Sequence, residues 1–364
     1  MGLENLALTE TGNFPIRHVG KVHEGKVRAV YWLNEGDSVR LASQRGYSVF
    51  PSSQLGVMIT SDRISAFECG WKAENGLNGV PGKGAVLNAV SQYWFDEFKE
   101  NGIAGNHLLE APHPLVWIVQ KAHPIMVEGI VRGYITGSMW SKYEKGQREF
   151  CGNKVPDGLT QHQQLPEALF TPTTKGIMTG IPGVPEKDDV DVDRITLVNN
   201  WQKFGFKNNE DVFRYRDLAI KAYNFGREQA SKIGEIVADT KFEVGYIQRA
   251  DGLKMELIDE VLTPDSSRFW PAEEYSRGQV VEKSKEDFRG FLKGALDKDI
   301  LTDKNRMEER VELARAYRVP VQEFYKVSQI YTDIASKITG KIVRIPQNPR
   351  QEILDALSPF GILN

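Results

Sequence analysis

Residues 236–245, IVADTKFEVG, set charges of both signs at alternate positions. Successive side chains of a strand point to opposite faces. Asp239, Lys241 and Glu243 would then share one face, and Ile236, Ala238, Thr240, Phe242 and Val244 the other. The apolar face suits a core; the charged face is either a solvated sheet surface or a place for chemistry. The next stretch, MELIDEVL, follows the turn signal Arg249 to Gly252 and reads as the second arm of an antiparallel hairpin. An odd loop centred on Asp251 sets Glu243 opposite Asp259 on one face, whereas a two-residue Asp251-Gly252 loop sets Asp259 opposite Val244. Carboxylates facing each other at about 5 Å repel unless a cation lies between them. Mg²⁺ prefers such hard oxygens together with phosphate oxygens. Glu243 and Asp259 are therefore the candidate metal ligands, and Lys241 a candidate contact to a nucleotide phosphate.

Candidate anion sites surround this hairpin. TPDSSRFW, residues 263–270, crowds Asp265, Ser266, Ser267 and Arg268 behind a proline. A turn accounts for Pro264 to Ser267 but not for an arginine followed by two aromatics, and an arginine fork matches a phosphate or carboxylate in a bidentate way. In VRGYITGS, Arg132, Gly133, Gly137 and Ser138 offer a guanidinium, a hydroxyl and backbone amides to a phosphate. HEGKVRAVY places Gly25, Lys26 and Arg28 just before a strand, without the GxxxxGK[ST] spacing of a Walker A loop. SDRISAFE adds Asp62, Arg63 and Ser65 at a strand end, and PGKG adds Lys83 in a turn. Cations for a polyphosphate, carboxylates for its metal and further anion sites together suggest ATP and a phosphorylated acceptor.

The elements that must position these groups fit a chain of 364 residues, long enough for two or three structural units. Hydrophobic residues at 40% and charged ones at 26% are ordinary globular usage, which excludes a disordered chain. A net charge of −3 gives no global footprint for nucleic acid. No apolar run approaches the roughly 20 residues of a membrane span, and no basic-then-apolar leader is visible; the expected place is the cytoplasm, because the cysteine usage suits a reducing compartment. Two cysteines, Cys69 and Cys151, and six scattered histidines suggest neither a disulfide framework nor zinc.

Strands are expected at 27–33 and 56–60 with a polar loop between them, and an amphipathic helix at 85–98. Residues 116–131 read as strand, broken by His123 and Pro124, which connect two lobes. The Pro- and Gly-rich text of 151–185 reads as a long surface excursion, and a helix is expected over 217–233. Phe324, Val327, Tyr331, Ile334 and Ile338 form a stripe that docks on the main body or on a second copy as a homodimer. The class is α+β: a β-rich lobe over 1–120, an α+β lobe over 121–295 and a helical C-terminal extension over 296–364.

From about Phe14 to Gly290, the order HEGKVR, SDRISAFE, PGKG, IVRGYITGS, GQREFCG, VADTKFEVG and DEVLTPDSSRFW resembles the SAICAR synthetase family of purine biosynthesis. The last two motifs are the most specific. The resemblance implies a two-lobed fold with a kinase-like ATP cleft. It also implies an ATP-dependent ligase joining L-aspartate to carboxyaminoimidazole ribonucleotide (CAIR) through an acyl phosphate. It implies Lys26 and Arg28 on the ATP phosphates, the backbone of Ala122 to Pro124 on adenine, and Lys241, Glu243 and Asp259 around Mg²⁺-ATP. Arg132, Ser138, Ser267 and Arg268 would hold the ribonucleotide, chiefly its 5′-phosphate, with Asp265 near the ribose and Glu128 near the imidazole or Arg132. Lys241, Asp265 and Arg268 are the expected catalytic residues, and Asp62, Arg63 and Lys83 fall near the phosphates or the aspartate. The excursion over 140–200 resembles the longer, fungal-like branch, and the tail after about Lys293 has no assigned counterpart. A small-molecule kinase of related fold and a non-catalytic nucleotide-binding scaffold are the alternative readings.

Overall fold

The run Leu55–Thr60 (LGVMIT) is buried at every position, as is Val116–Gln120. Short apolar runs of this kind belong at the centre of a sheet. The computed structural model, which describes residues 6–303 and 305–364, sets them side by side in a five-stranded antiparallel sheet. Its strands are β1 (His23–Glu24), β2 (Arg28–Trp32), β3 (Leu55–Thr60), β6 (Leu108–His113) and β7 (Val116–Gln120), in the order β1-β2-β3-β7-β6. Alternation gives the sheet two apolar faces. Val30, Met58, Trp117 and Val119 meet helix α2 (Lys83–Glu100), whereas Tyr31, Val57, Ile59 and Ile118 meet Ile353, Leu357, Phe360 and Ile362 from the end of the chain. The C-terminal residues thus complete the core of the first lobe.

Between β2 and β3 the expected loop is a helix, α1 (Glu35–Arg45). Its apolar period is weak, with Val39 half exposed and Leu41 buried, so its signal lay in the caps. Asn34 accepts from the Asp37 N–H at 2.8 Å, and Gly46 closes the helix at φ 68°. After β3 a small hairpin, β4 (Ile64–Ala66) and β5 (Cys69–Trp71), carries the SDRISAFE motif.

The second sheet is built on one long strand, β14 (Glu235–Arg249). Its N-terminal half lies between β9 (Val127–Tyr134) and β16 (Ser267–Pro271), and its C-terminal half pairs with β8 (His123–Pro124) and β15 (Gly252–Ile258). Helix α5 (Glu210–Lys232) covers it, starting well before the expected Asp217 because Asn208 caps the Asp211 N–H. Tyr215 and Tyr223 of α5 donate to the Phe242 and Val237 carbonyls at 2.7 Å. Gly133 makes that approach possible, since a Cβ there would lie 2.0 Å from the Tyr223 hydroxyl.

The excursion is more ordered than its composition suggests. Residues 151–185 hold β11 (Asn153–Lys154), β12 (Gln164–Phe170) and β13 (Thr173–Thr174), and the wider stretch around 140–200 adds α3 (Gly137–Glu144), β10 (Glu149–Phe150) and α4 (Arg194–Asn199). Strands β12 and β13 both pair with β9, and Ile135, Met139, Tyr143, Phe150, Leu165 and Leu169 form a separate small core. Beyond β16 come α6 (Ala272–Ser276), α7 (Lys285–Ala295), α8 (Lys298–Thr302), α9 (Met307–Ala316), α10 (Val321–Thr339) and α11 (Pro349–Leu357). The stripe Phe324, Val327, Tyr331, Ile334 and Ile338 lies on α10 and is buried within the chain, against the core that α2 also joins. The main body is thus what it docks on. Among the described residues no helix is long and apolar enough to cross a membrane.

Candidate active site

The alternation read from IVADTKFEVG is present in β14: Phe242 and Val244 enter the main core, while Asp239, Lys241 and Glu243 face a set of opposite charges. The hairpin register is neither of the two expected. The loop is Ala250-Asp251, so Arg249 stands opposite Gly252 and Glu243 opposite Ile258. An uninterrupted β15 would then turn Asp259 to the far side. Instead the strand stops at Ile258 and Asp259 takes φ 63°, which breaks the alternation. Its carboxylate lies 2.9 Å from Arg28 and acts on Lys241. A backbone kink, not cross-strand pairing, brings Asp259 to the charged face.

Around Glu243 the charges interlock. Lys241 Nζ is 2.9 Å from Glu243 Oε1 and 2.7 Å from Glu128 Oε1, and Lys175 donates to Glu243 Oε2. Burial disfavours the Glu243 carboxylate, but Lys241 and Lys175 overcome that and lower it to about 2. Burial also raises Glu128, only partly offset by Lys241. Arg28 is buried at the start of β2, with Glu260 at 3.6 Å in addition to Asp259, and its buried Nε has no hydrogen-bond partner. Lys26 is exposed in the turn before it. Ala122 and Pro124 lie at the crossing between sheets, where β8 pairs with Gly245 and Tyr246; a Cβ at Gly245 would meet Ala122 Cβ at 2.9 Å.

A second constellation sits at the other end of the same face. Arg132 on β9 and Arg268 on β16 flank β14 and both reach Asp239 Oδ2, Arg132 at 3.3 Å. Arg132 Nε also donates to Thr171 at 2.9 Å, and Arg268 meets Glu286 at 3.2 Å. Burial opposes ionisation of Glu286, yet Arg268 and Arg289 hold it at about 2. Gly137 opens α3 at φ 55°, and a Cβ there would strike the Arg268 guanidinium at 2.5 Å. Ser267 is buried 2.7 Å from Thr240, and Ser138 is exposed in the first turn of α3.

The remaining expected residues are structural neighbours of these two groups. Lys83 is not in a turn: it is the first residue of α2 and fully buried, 3.2 Å from Asp265. Asp265 is further bound by Lys285 at 2.9 Å and the Tyr331 hydroxyl at 2.8 Å. Asp62 accepts the backbone N–H groups of Leu8 and Gly84 at 2.8 Å, and burial nevertheless raises it to about 6. Arg63 donates to the Gly25 carbonyl at 3.1 Å. Sequence reading missed Lys175, Glu260, Glu286, Lys285 and Tyr331 as members of the site. TPTTKG was a visible signal for Lys175, and Glu260 adjoins a named residue, but nothing in sequence spacing ties α7 and α10 to residue 265.

These buried carboxylates make acid sensitivity predictable. Glu243 and Glu286 fold at about 2 against an ordinary 4.5, so their contribution is fully present above about 4.5 and is lost as pH falls toward 2. Each contributes on the order of 1–3 kcal/mol. The urea midpoint should therefore fall steeply from about pH 4.5 downward, following a smaller rise from about pH 6 as buried Asp62 takes up a proton; a midpoint that does not fall between about pH 4.5 and 3 would refute these ion pairs.

The mixed fold sets two clusters of paired charges on one strand face, an arrangement able to receive small anionic molecules. The sequence pattern of SAICAR synthetase matches residues 21–305. Phosphoribosylaminoimidazole-succinocarboxamide synthase of Vibrio vulnificus is 51% identical over 100% of both chains, and that of Psychromonas ingrahamii is 50% identical over 100% of both. The solved SAICAR synthase of Saccharomyces cerevisiae, in complex with SAICAR, superposes with TM-score 0.65 at 27% identity, over 92% of this chain and 98% of that one. The chain belongs to the SAICAR synthetase family, and it is a ligase.

Proposed function

We propose that this ligase condenses L-aspartate with CAIR, giving SAICAR, ADP and phosphate. A carboxylate is a poor electrophile, and an amine cannot expel oxide from it. Transfer of the ATP γ-phosphoryl group to the CAIR carboxylate creates an acyl phosphate. The aspartate amine then attacks the acyl carbon, and phosphate leaves as the amide forms. Phosphoryl transfer requires chiefly positioning and charge neutralisation. The lysines, arginines and carboxylates of the two clusters could supply both, and the reaction calls for no nucleophilic side chain.

In this reading Lys26, Arg28 and Lys241 hold the triphosphate, and the backbone of Ala122 to Pro124 receives the adenine. Glu243 and Asp259 fit a Mg²⁺ that arrives with ATP: both are hard oxygen donors, both are now tied to cations, and the orphaned Nε of Arg28 awaits an anion beside them. Bound there, the metal would neutralise charge on the transferring phosphoryl group. Arg132 and Arg268, with Ser267 and Ser138, take the ribonucleotide phosphate, which replaces Asp239 and Glu286 as their partner. Asp265 lies toward the ribose and Glu128 toward the imidazole. Residues 1–120 and 121–295 form the two lobes and 296–364 the extension.

The observation that carries this placement is the convergence of Arg132 and Arg268 on Asp239, on the strand face that also presents Lys241 and Glu243. Residues 239 and 243 lie about 13 Å apart along a strand, a span suited to one ribonucleotide between its phosphate and the metal-nucleotide group. The test is product release. Sustained ADP turnover should require ATP, CAIR and aspartate together, with at most about one equivalent per site formed from ATP and CAIR alone. Full-rate ADP release with CAIR alone, leaving a stable phosphorylated product, would make the chain a kinase and overturn the proposal.

A further inference from the structure

The family match ends at residue 305, yet the extension beyond it reaches the DSSR motif. Three separate elements meet at one carboxylate there: Lys83 opens α2, Lys285 opens α7, and Tyr331 lies in the middle of α10. Asp265 Oδ2 takes Lys285 at 2.9 Å, while Oδ1 takes the Tyr331 hydroxyl at 2.8 Å and faces Lys83 at 3.2 Å. All four side chains are buried or nearly so. Two ammonium groups and a phenol hydroxyl thus converge on one buried carboxylate.

We infer that Tyr331 is a positioning residue of the ribonucleotide site, acting through Asp265. The turn that carries Asp265 continues directly into Ser267 and Arg268 and is closed by the Thr263 carbonyl, which accepts from Ser266 and Ser267 at 3.2 and 2.9 Å. Such a turn fixes the backbone but leaves the Asp265 side chain free to rotate. The ammonium groups do not fix it either, because an ammonium is a point charge that accepts many approach angles. A phenol hydroxyl on a fully buried ring is directional. It holds Oδ1 in one place, and with it the start of the strand that aims Arg268 at Asp239. Tyr331 is itself held by its helix. Ser328 donates to the Pro81 carbonyl at 2.7 Å, and Lys337 binds Glu235 at the start of β14. The extension therefore spans both lobes and ends on the substrate motif.

This inference rests on the placement of the ribonucleotide proposed above, and the experiment separates the two. Tyr331→Phe removes one oxygen and leaves the ring in its core. Ser328→Ala, one turn away, removes a contact to the other lobe without touching Asp265. The expected result is a KM for CAIR raised about 5- to 10-fold in Tyr331→Phe, a KM for ATP within about 2-fold of wild type, and both constants unchanged in Ser328→Ala. A lowered melting temperature in Tyr331→Phe with wild-type KM values would overturn the inference, because the hydroxyl would then only brace the fold. Equal rises in both constants for both variants would overturn it too, since helix docking rather than the hydroxyl would be at work. Arg268→Lys serves as the reference. If it raises the CAIR KM while Tyr331→Phe does not, only the role of Tyr331 falls; if neither does, the ribonucleotide is placed wrongly.

Discussion

Glu243→Gln lowers kcat/KM by about two to three orders of magnitude, roughly 3–4 kcal/mol of transition-state stabilisation, while the chain still folds. The change keeps the side chain's shape and its acceptor oxygen but removes the charge that both Lys241 and Lys175 now balance. In the free protein the loss is moderate, on the order of 1–3 kcal/mol, because both lysines stay partly exposed, at 29% and 32%. During turnover the loss is larger. On the proposed reading, a divalent ion and its triphosphate then depend on Glu243 and Asp259 together. Steady-state kinetics at saturating Mg²⁺, beside a urea melt, separates the two effects. Activity within about 10-fold of wild type would remove Glu243 from the metal-nucleotide group.

Arg268→Lys should raise the KM for CAIR by about 10- to 100-fold and leave the KM for ATP nearly unchanged. The guanidinium of Arg268 spans Asp239 and Glu286 at once, using two of its nitrogens in different directions. A lysine reaches one acceptor as a point charge and cannot keep that fork. The site is also built around the fork: Gly137 at φ 55° leaves room that a Cβ would take from the guanidinium. Titration of CAIR at saturating ATP, and of ATP at saturating CAIR, gives the comparison. Equal weakening of both substrates would contradict an arginine that serves the ribonucleotide alone.

Both variants probe residues that were visible in the chain itself. Lys241 and Glu243 stand in a short motif whose charges alternate at the strand period, and such alternation survives into three dimensions wherever a strand is regular; Arg268 was marked instead by a guanidinium behind two hydroxyls and ahead of two aromatics. The α+β class and the main helices were legible for a similar reason: α2 and α10 carry apolar stripes that fix which side must be buried. Helix α1 was not, since its stripe is one leucine wide and only Asn34 and Gly46 mark its ends. The excursion was misjudged as loop because its small core draws on residues as far apart as Ile135 and Leu169.

What the chain determined alone is therefore local: which strand face bears charge, which helices are amphipathic, and which motifs carry arginine beside serine and glycine. Tertiary structure decided everything that depends on two distant segments meeting or on one backbone angle. It set the hairpin loop at Ala250-Asp251, and it restored Asp259 to the charged face through a left-handed residue that no alternation rule anticipates. It also delivered Lys175 to Glu243 and Tyr331 to Asp265 from 68 and 66 residues away. Side-chain periodicity is a property of neighbours along the chain, whereas the balance of buried charges depends on which elements pack together.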